Sequence, residues 1–75
     1  MHNACKEFVK ILKQAEEKLG TSLSVEEIGK RMGRLPPGHS VAEVFQHCMD
    51  RGWVMGTAAG PWLTPLGQQE ASRPS

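Results

Sequence analysis

The sequence predicts a mostly helical α+β domain made of three helices, a two-stranded β-hairpin and a short C-terminal helix. Two observations carry this reading. Three stretches repeat apolar residues at the helical period, and two of them open on a capping box. A fourth stretch sets aromatic and β-branched residues on either side of a loop bounded by glycines. At 75 residues the chain suits one domain, residues 1–71, with a short tail over 72–75. A domain of this size buries only about 60% of its unfolded surface, which leaves little room for an enclosed active-site cavity beside a core.

The first helix is expected over residues 3–19. Asn3 is placed to cap it, and Cys5, Phe8, Ile11 or Leu12, Ala15 and Leu19 form its apolar stripe. Lys6, Lys10, Lys13, Glu16, Glu17 and Lys18 take the other faces, and Gly20 is a C′ stop. The lysine-rich side reads most simply as a solvated face.

The second helix has the best-specified start. Ser24 and Glu27 are spaced as a capping box, and Leu23 and Ile28 as a hydrophobic staple. Glu26 and Glu27 also sit where the helix dipole favours negative charge. Val25, Ile28, Gly29 and Met32 form the expected buried face, with Gly33 as the stop. A glycine inside a helix costs about 1 kcal/mol relative to alanine. The close approach of another helix, as in helix-turn-helix units, is a reason to accept that cost at Gly29.

Arg34-Leu35-Pro36-Pro37-Gly38-His39 is a connector, because proline cannot continue a helix and Pro-Gly favours a turn. Ser40 and Glu43 then repeat the capping-box spacing. Val41, Val44, Phe45, Cys48 and Met49 fall on one helical face, and Gly52 ends the third helix after Arg51. Trp53-Val54-Met55, a five-residue loop from Gly56 to Gly60, and Pro61-Trp62-Leu63-Thr64 make the hairpin. Thr64-Pro65 reads as N-cap and N1 of a last helix running to about Ala71, since proline loses nothing at N1.

Composition narrows the function classes. Apolar residues make up 39% of the chain, charged residues 23%, and the net charge is +1, which favours neither nucleic acid nor membrane. No apolar run approaches transmembrane length, and Lys and Glu at helical spacing in the first 20 residues are unlike a signal peptide. Cys5 and Cys48 both fall on apolar faces, so a disulfide framework is not expected and a reducing, cytoplasmic setting is the default. His47 and Cys48 are adjacent on a helix and diverge by about 100°, which makes them poor co-ligands and a poor catalytic pair. The sequence has no C-x-x-C pair, phosphate loop or nucleophile elbow. No metal, no cofactor and no enzymatic activity are therefore expected.

Arg51-Gly52-Trp53-Val54, a loop, and Trp62-Leu63-Thr64-Pro65-Leu66-Gly67 resemble the end of a winged-helix domain of the bacterial MarR and PadR kind. The resemblance spans most of Ser24 to Gln69. The connector is longer than the turn of a compact helix-turn-helix and fits the looser turns of winged helices. The resemblance implies a small DNA-binding transcriptional regulator whose third helix enters the major groove while the wing touches the adjacent backbone or minor groove. Residue by residue, it places Glu43, Gln46, His47 and Asp50 on the outward face of that helix, with His39, Ser40 and Ala42 at its leading end. Gln46 would read adenine, Ser40 or His47 a base edge or phosphate, and Lys30, Arg31 and Arg34 the backbone.

Charge argues for a second reading. Residues 1–34 carry +2 (seven Lys/Arg, five Asp/Glu), whereas residues 35–75 carry −1 (two and three). The hairpin from Gly52 to Thr64 has no charged residue, although phosphate contacts supply most non-specific DNA affinity. Glu43 and Asp50 would repel phosphates. An uncharged wing bearing Trp53, Met55, Pro61 and Trp62 suits a protein partner, making the domain an adaptor or an inhibitor of a larger complex. Either tryptophan can instead serve the core, and pairing register decides which one does. A homodimer suits both readings.

Overall fold

The structure, a computed structural model, describes residues 2–21, 23–33, 35, 37–58 and 60–73. The order is α1 (His2–Leu19), α2 (Val25–Met32), α3 (Val41–Asp50), β1 (Val54–Thr57), β2 (Gly60–Leu63) and α4 (Pro65–Ser72). This is a mostly helical α+β architecture with a single two-stranded antiparallel sheet among the described residues. No helix among them is long and apolar enough to cross a membrane.

Helix α1 is the spine. Its buried stripe is Ala4, Cys5, Phe8, Val9, Leu12 and Ala15, and α2, α3, α4 and β2 all pack against it. Two details differ from the sequence expectation. Asn3 lies inside the helix rather than capping it, and Leu19 is 57% exposed, because the stripe loses its cover where α1 ends and the chain turns at Gly20.

Ser24 and Ser40 cap α2 and α3 as expected, accepting from the N–H groups of Glu27 (3.1 Å) and Glu43 (3.4 Å). Each carboxylate is shared with a basic group, although the Ser40 backbone N–H also stabilises that of Glu43. Glu27 lies 3.9 Å from Arg31, and the Glu43 carboxylate lies 2.6 Å from His39 Nδ1. In both cases a basic group four residues away competes with the backbone N–H for the carboxylate. Leu23 and Ile28 are both buried, as the staple requires. At Gly29 a Cβ would stand 3.0 Å from that of Val41, so this glycine does mark the close approach of α2 and α3.

Helix α3 ends in a Schellman motif. Gly52 (φ 75°) donates to Met49 O at 2.9 Å, and Trp53 donates to Cys48 O at 3.0 Å. This turn delivers the Trp53 indole into the core, where it is 8% exposed. The ladder then runs Val54↔Leu63, Met55↔Trp62, Gly56↔Pro61, Thr57↔Gly60. The hairpin connection is therefore shorter than the five-residue loop expected from its glycines. Gly56 and Gly60 are strand residues, and Gly56 faces the Phe45 ring, with 3.8 Å between a built Cβ and Cζ. The outer edge of β2, away from β1, is closed. Pro61 lacks an N–H, and Leu63 N donates to the Glu16 carboxylate at 3.0 Å, so α1 blocks that edge against further pairing.

The Thr64 hydroxyl joins the hairpin to α4. It donates to Gly52 O and accepts from Gly67 N at 3.0 Å, while Thr64 N donates to Trp53 O at 3.0 Å. Helix α4 begins at Pro65 and ends at Ser72, one residue beyond the expected end and inside the expected tail. Its first turn lies so close to Trp53 that a Cβ on Gly67 would overlap the Trp53 carbonyl.

Gly67→Ala is expected to destabilise the domain by about 3 kcal/mol, the upper end of overpacking effects. Gly29→Ala should cost less, because a gain in helix propensity of about 1 kcal/mol opposes the contact with Val41. Urea denaturation of both variants checks the order. A Gly67→Ala midpoint equal to that of the parent would mean that α4 does not rest on the Trp53 backbone.

Candidate interaction surfaces

The outward face of α3 is formed as its periodicity requires. Val44 and Cys48 point into the core, which leaves Ala42, Glu43, Gln46, His47 and Asp50 exposed, with His39 and Ser40 exposed just before them. The polar groups on this face largely bond one another. His39 Nδ1 contacts the Glu43 carboxylate at 2.6 Å, and Gln46 Nε2 donates to Asp50 Oδ1 at 3.1 Å. The His39 hydrogen bond, helped by the nearby His39 and His47 rings and a hydrogen bond from the Ser40 backbone, holds the Glu43 carboxyl below its ordinary range.

Of the basic residues assigned to backbone contacts, Lys30 and Arg31 do not stand together. Lys30 is exposed immediately after the Gly29–Val41 contact. Arg31 turns the other way, pairing with Glu27 and lining a hollow with Gln14, Ala15, Lys18 and Leu19 from the end of α1. Its cationic neighbour is thus Lys18, which sequence reasoning left on a solvated face. Arg34 lies outside the described residues.

Register separates the two tryptophans. Trp53 precedes β1 and is a core residue, so it does not belong to an exposed wing surface. The Arg51 guanidinium lies 5.2 Å from the centre of its ring, and the His2 ring meets it edge-on at 6.1 Å. Arg51 and His2 also approach to 2.6 Å between Nη1 and Nδ1. Trp62 is half-buried and sits directly across from Met55, which is 47% exposed. Pro61 is buried. Leu66, in the first turn of α4, is 52% exposed and was not singled out from sequence. Its place one residue after Pro65 at the helix start offered the only local signal, because the remaining turns of α4 are needed to say which face is covered. From Gly52 to Gln69, all 18 residues are uncharged.

The two cysteines are free and fully buried at the crossing of α1 and α3. Cys5 Sγ donates to Val44 O at 4.0 Å, and Cys48 Sγ donates to Cys5 O at 3.8 Å. Burial, with the neighbouring Cys5 adding to it, pushes the Cys48 thiol far above its ordinary range. A thiol that resists ionisation is a packing group rather than a nucleophile. Among the described residues, no three His, Cys, Asp or Glu side chains of one chain converge on a metal position. A groove of about 580 Å³ between α1 and α4 holds Lys13 and Arg73, but Glu17 (3.8 Å) and Glu70 (3.6 Å) already balance them. Comparison with protein-family models, characterised proteins and solved structures found no match for this chain.

Glu43 titrates lower in the folded chain than in the unfolded one. Its contact with His39 therefore adds stability above the ordinary carboxyl value of 4.5 and loses it as pH falls through the lowered folded value. The pair is exposed, so the effect is small. Glu43→Gln should lower Tm slightly at neutral pH, and the gap from the parent should close in acid below both values. A gap that persists unchanged into acid would show that the carboxylate's charge contributes nothing.

Proposed function

We propose that this chain is a winged-helix domain that works as a protein-interaction module, an adaptor or inhibitor, docking through the outer face of its hairpin. The observation that supports this best is the 18-residue uncharged run from Gly52 to Gln69, which places Met55 and Trp62 side by side on the hairpin and leaves Leu66 exposed beyond it. Aromatic and methionine side chains with no nearby charge are the composition of interface centres. A DNA-binding wing calls for the opposite, because each phosphate contact wants a cation. The order of three helices, hairpin and helix, with α2 and α3 in close approach at Gly29, supports the winged-helix assignment.

Duplex DNA is the second reading. It is favoured by the continuous exposed row on α3, with Gln46 and His47 in it and Lys30 beside its leading end. Against it stand the acidic Glu43 and Asp50 and the engagement of Gln46 with Asp50.

Fluorescence anisotropy of a random-sequence duplex at several salt concentrations separates the readings. The protein-partner reading expects weak binding with little salt dependence. The DNA reading expects log K to fall with log salt at a slope of about −0.9 per phosphate contact, and Lys30→Ala to reduce that slope by about one. In parallel, affinity capture from the source cell should yield a partner that is lost with Met55→Ser or Trp62→Ser and kept with Lys30→Ala, the melting of each variant being measured. Duplex binding with a steep slope, or capture insensitive to both hairpin changes, overturns the protein-partner reading.

A further inference from the structure

We infer that the hollow between the end of α1 and α2 is a binding site for a phosphate monoester. It measures about 130 Å³ and is lined by Gln14, Ala15, Lys18 and Leu19 of α1 and by Arg31 of α2. Gln14 and Lys18 are four residues apart on α1, as are Ala15 and Leu19, so the helix lines the hollow with two adjacent rows. One row carries an amide and an ammonium, the other two apolar groups. Ala15 is buried and small, which leaves the space open, and Leu19 stands exposed beside it.

Charge selects the occupant. Two cations from different helices line one hollow, and like charges held together repel. Both Lys18 and Arg31 lie in the last turn of their helices, where a cation complements the dipole. That role accounts for their charge but not for their shared hollow. The nearby acids are engaged elsewhere: Glu16 accepts from Leu63 N, and Glu17 lies 3.8 Å from Lys13. Glu27 approaches Arg31 Nε only to 3.9 Å, beyond hydrogen-bond length. The side chains of Gln14, Lys18 and Arg31 make no hydrogen bond among the described residues. Their donors are available to a ligand.

The donor set favours phosphate over carboxylate. An ammonium, a guanidinium and an amide supply three separate donor groups, and a phosphate monoester has three oxygens to accept from them. Near neutral pH its charge approaches −2, which balances Lys18 and Arg31 together, whereas a carboxylate leaves one of them uncompensated. Leu19 at the rim gives the carbon of the ester an apolar contact. A phosphorylated side chain and a small free ester share this chemistry. The hollow is lined by none of the hairpin residues proposed for a protein partner, so either site stands or fails without the other.

Two-dimensional 1H–15N NMR of the full chain tests this. The probes are inorganic phosphate, phenyl phosphate and a phosphoserine peptide with leucine beside the modified residue, all at constant ionic strength. Saturable shifts are expected in residues 14–20 and at Arg31. Phenyl phosphate should bind more tightly than inorganic phosphate, and more tightly at about pH 7.5 than at about pH 5, because the second phosphate proton leaves near pH 6. Lys18→Gln and Arg31→Gln should each weaken binding by about tenfold, the loss of one charge-assisted hydrogen bond. Both should keep the parent's melting curve, since the two side chains are exposed. Glu27→Gln, which releases Arg31, should tighten binding, and Lys6→Gln, which alters a different hollow on α1, should leave it unchanged. Either ester supports the site: tighter binding of the peptide identifies a phosphorylated protein segment as the source, and tighter binding of phenyl phosphate a small ester. Shifts that grow without saturating, or affinity unchanged in both Lys18→Gln and Arg31→Gln, overturn the inference.

Discussion

Everything in this domain rests on the buried stripe of α1. Phe8, Val9, Leu12 and Cys5 are fully buried along one face of that helix, and α2, α3, α4 and β2 all pack against it. Burying an aliphatic or aromatic side chain contributes about 1.5–3 kcal/mol, whereas an exposed ion pair contributes about 0–1 kcal/mol. Each ion pair described here has at least one exposed partner, so the stripe and its partners Ile28, Val44, Cys48 and Leu63 hold the fold together. Small side chains set the geometry where α1 crosses α3. Cys5 and Cys48 let the two backbones approach closely enough for each thiol to reach a carbonyl of the opposing helix.

The hairpin is held from both ends. The Schellman turn at Gly52 inserts Trp53, and the Thr64 hydroxyl fastens that same turn to the start of α4. Between them, Glu16 from α1 takes the outer N–H of Leu63. Two-stranded hairpins are marginal by themselves in water. This one is stable because its inner residues Val54, Pro61 and Leu63 are covered, and the same alternation sends Met55 and Trp62 outward. The exposed apolar pair is therefore a direct consequence of the register that builds the core.

Charge is segregated along the chain, and this shapes the functional argument. Basic residues collect on α1 and at the end of α2, the outward face of α3 holds imidazoles, amides and acids, and the hairpin holds no charge. Helix α3 and the hairpin thus offer a polyanion no Lys or Arg. The exposed His2 and Arg51 side chains flank the buried Trp53 ring and tie the start of α1 to the end of α3.

The sequence by itself determined the helices, their caps at Ser24, Ser40 and Thr64, the stop at Gly52 and the existence of a hairpin. These signals act within about four residues, through backbone hydrogen bonds and the helical period, and need no distant partner. It also indicated that Gly29 marks a helix contact and that hairpin and α3 lack cations. Tertiary structure alone decided which tryptophan is buried: the turn after α3 inserts Trp53, whereas the Met55↔Trp62 register turns Trp62 outward. It likewise shortened the loop by enlisting Gly56 and Gly60 as strand residues, exposed Leu19, turned Arg31 toward Lys18 and gave the Glu43 carboxylate a partner in His39. Most of these outcomes hinge on packing between segments far apart in sequence, as Glu16 and Leu63 are, 47 positions apart, and for such pairs periodicity carries no information about which surfaces will meet.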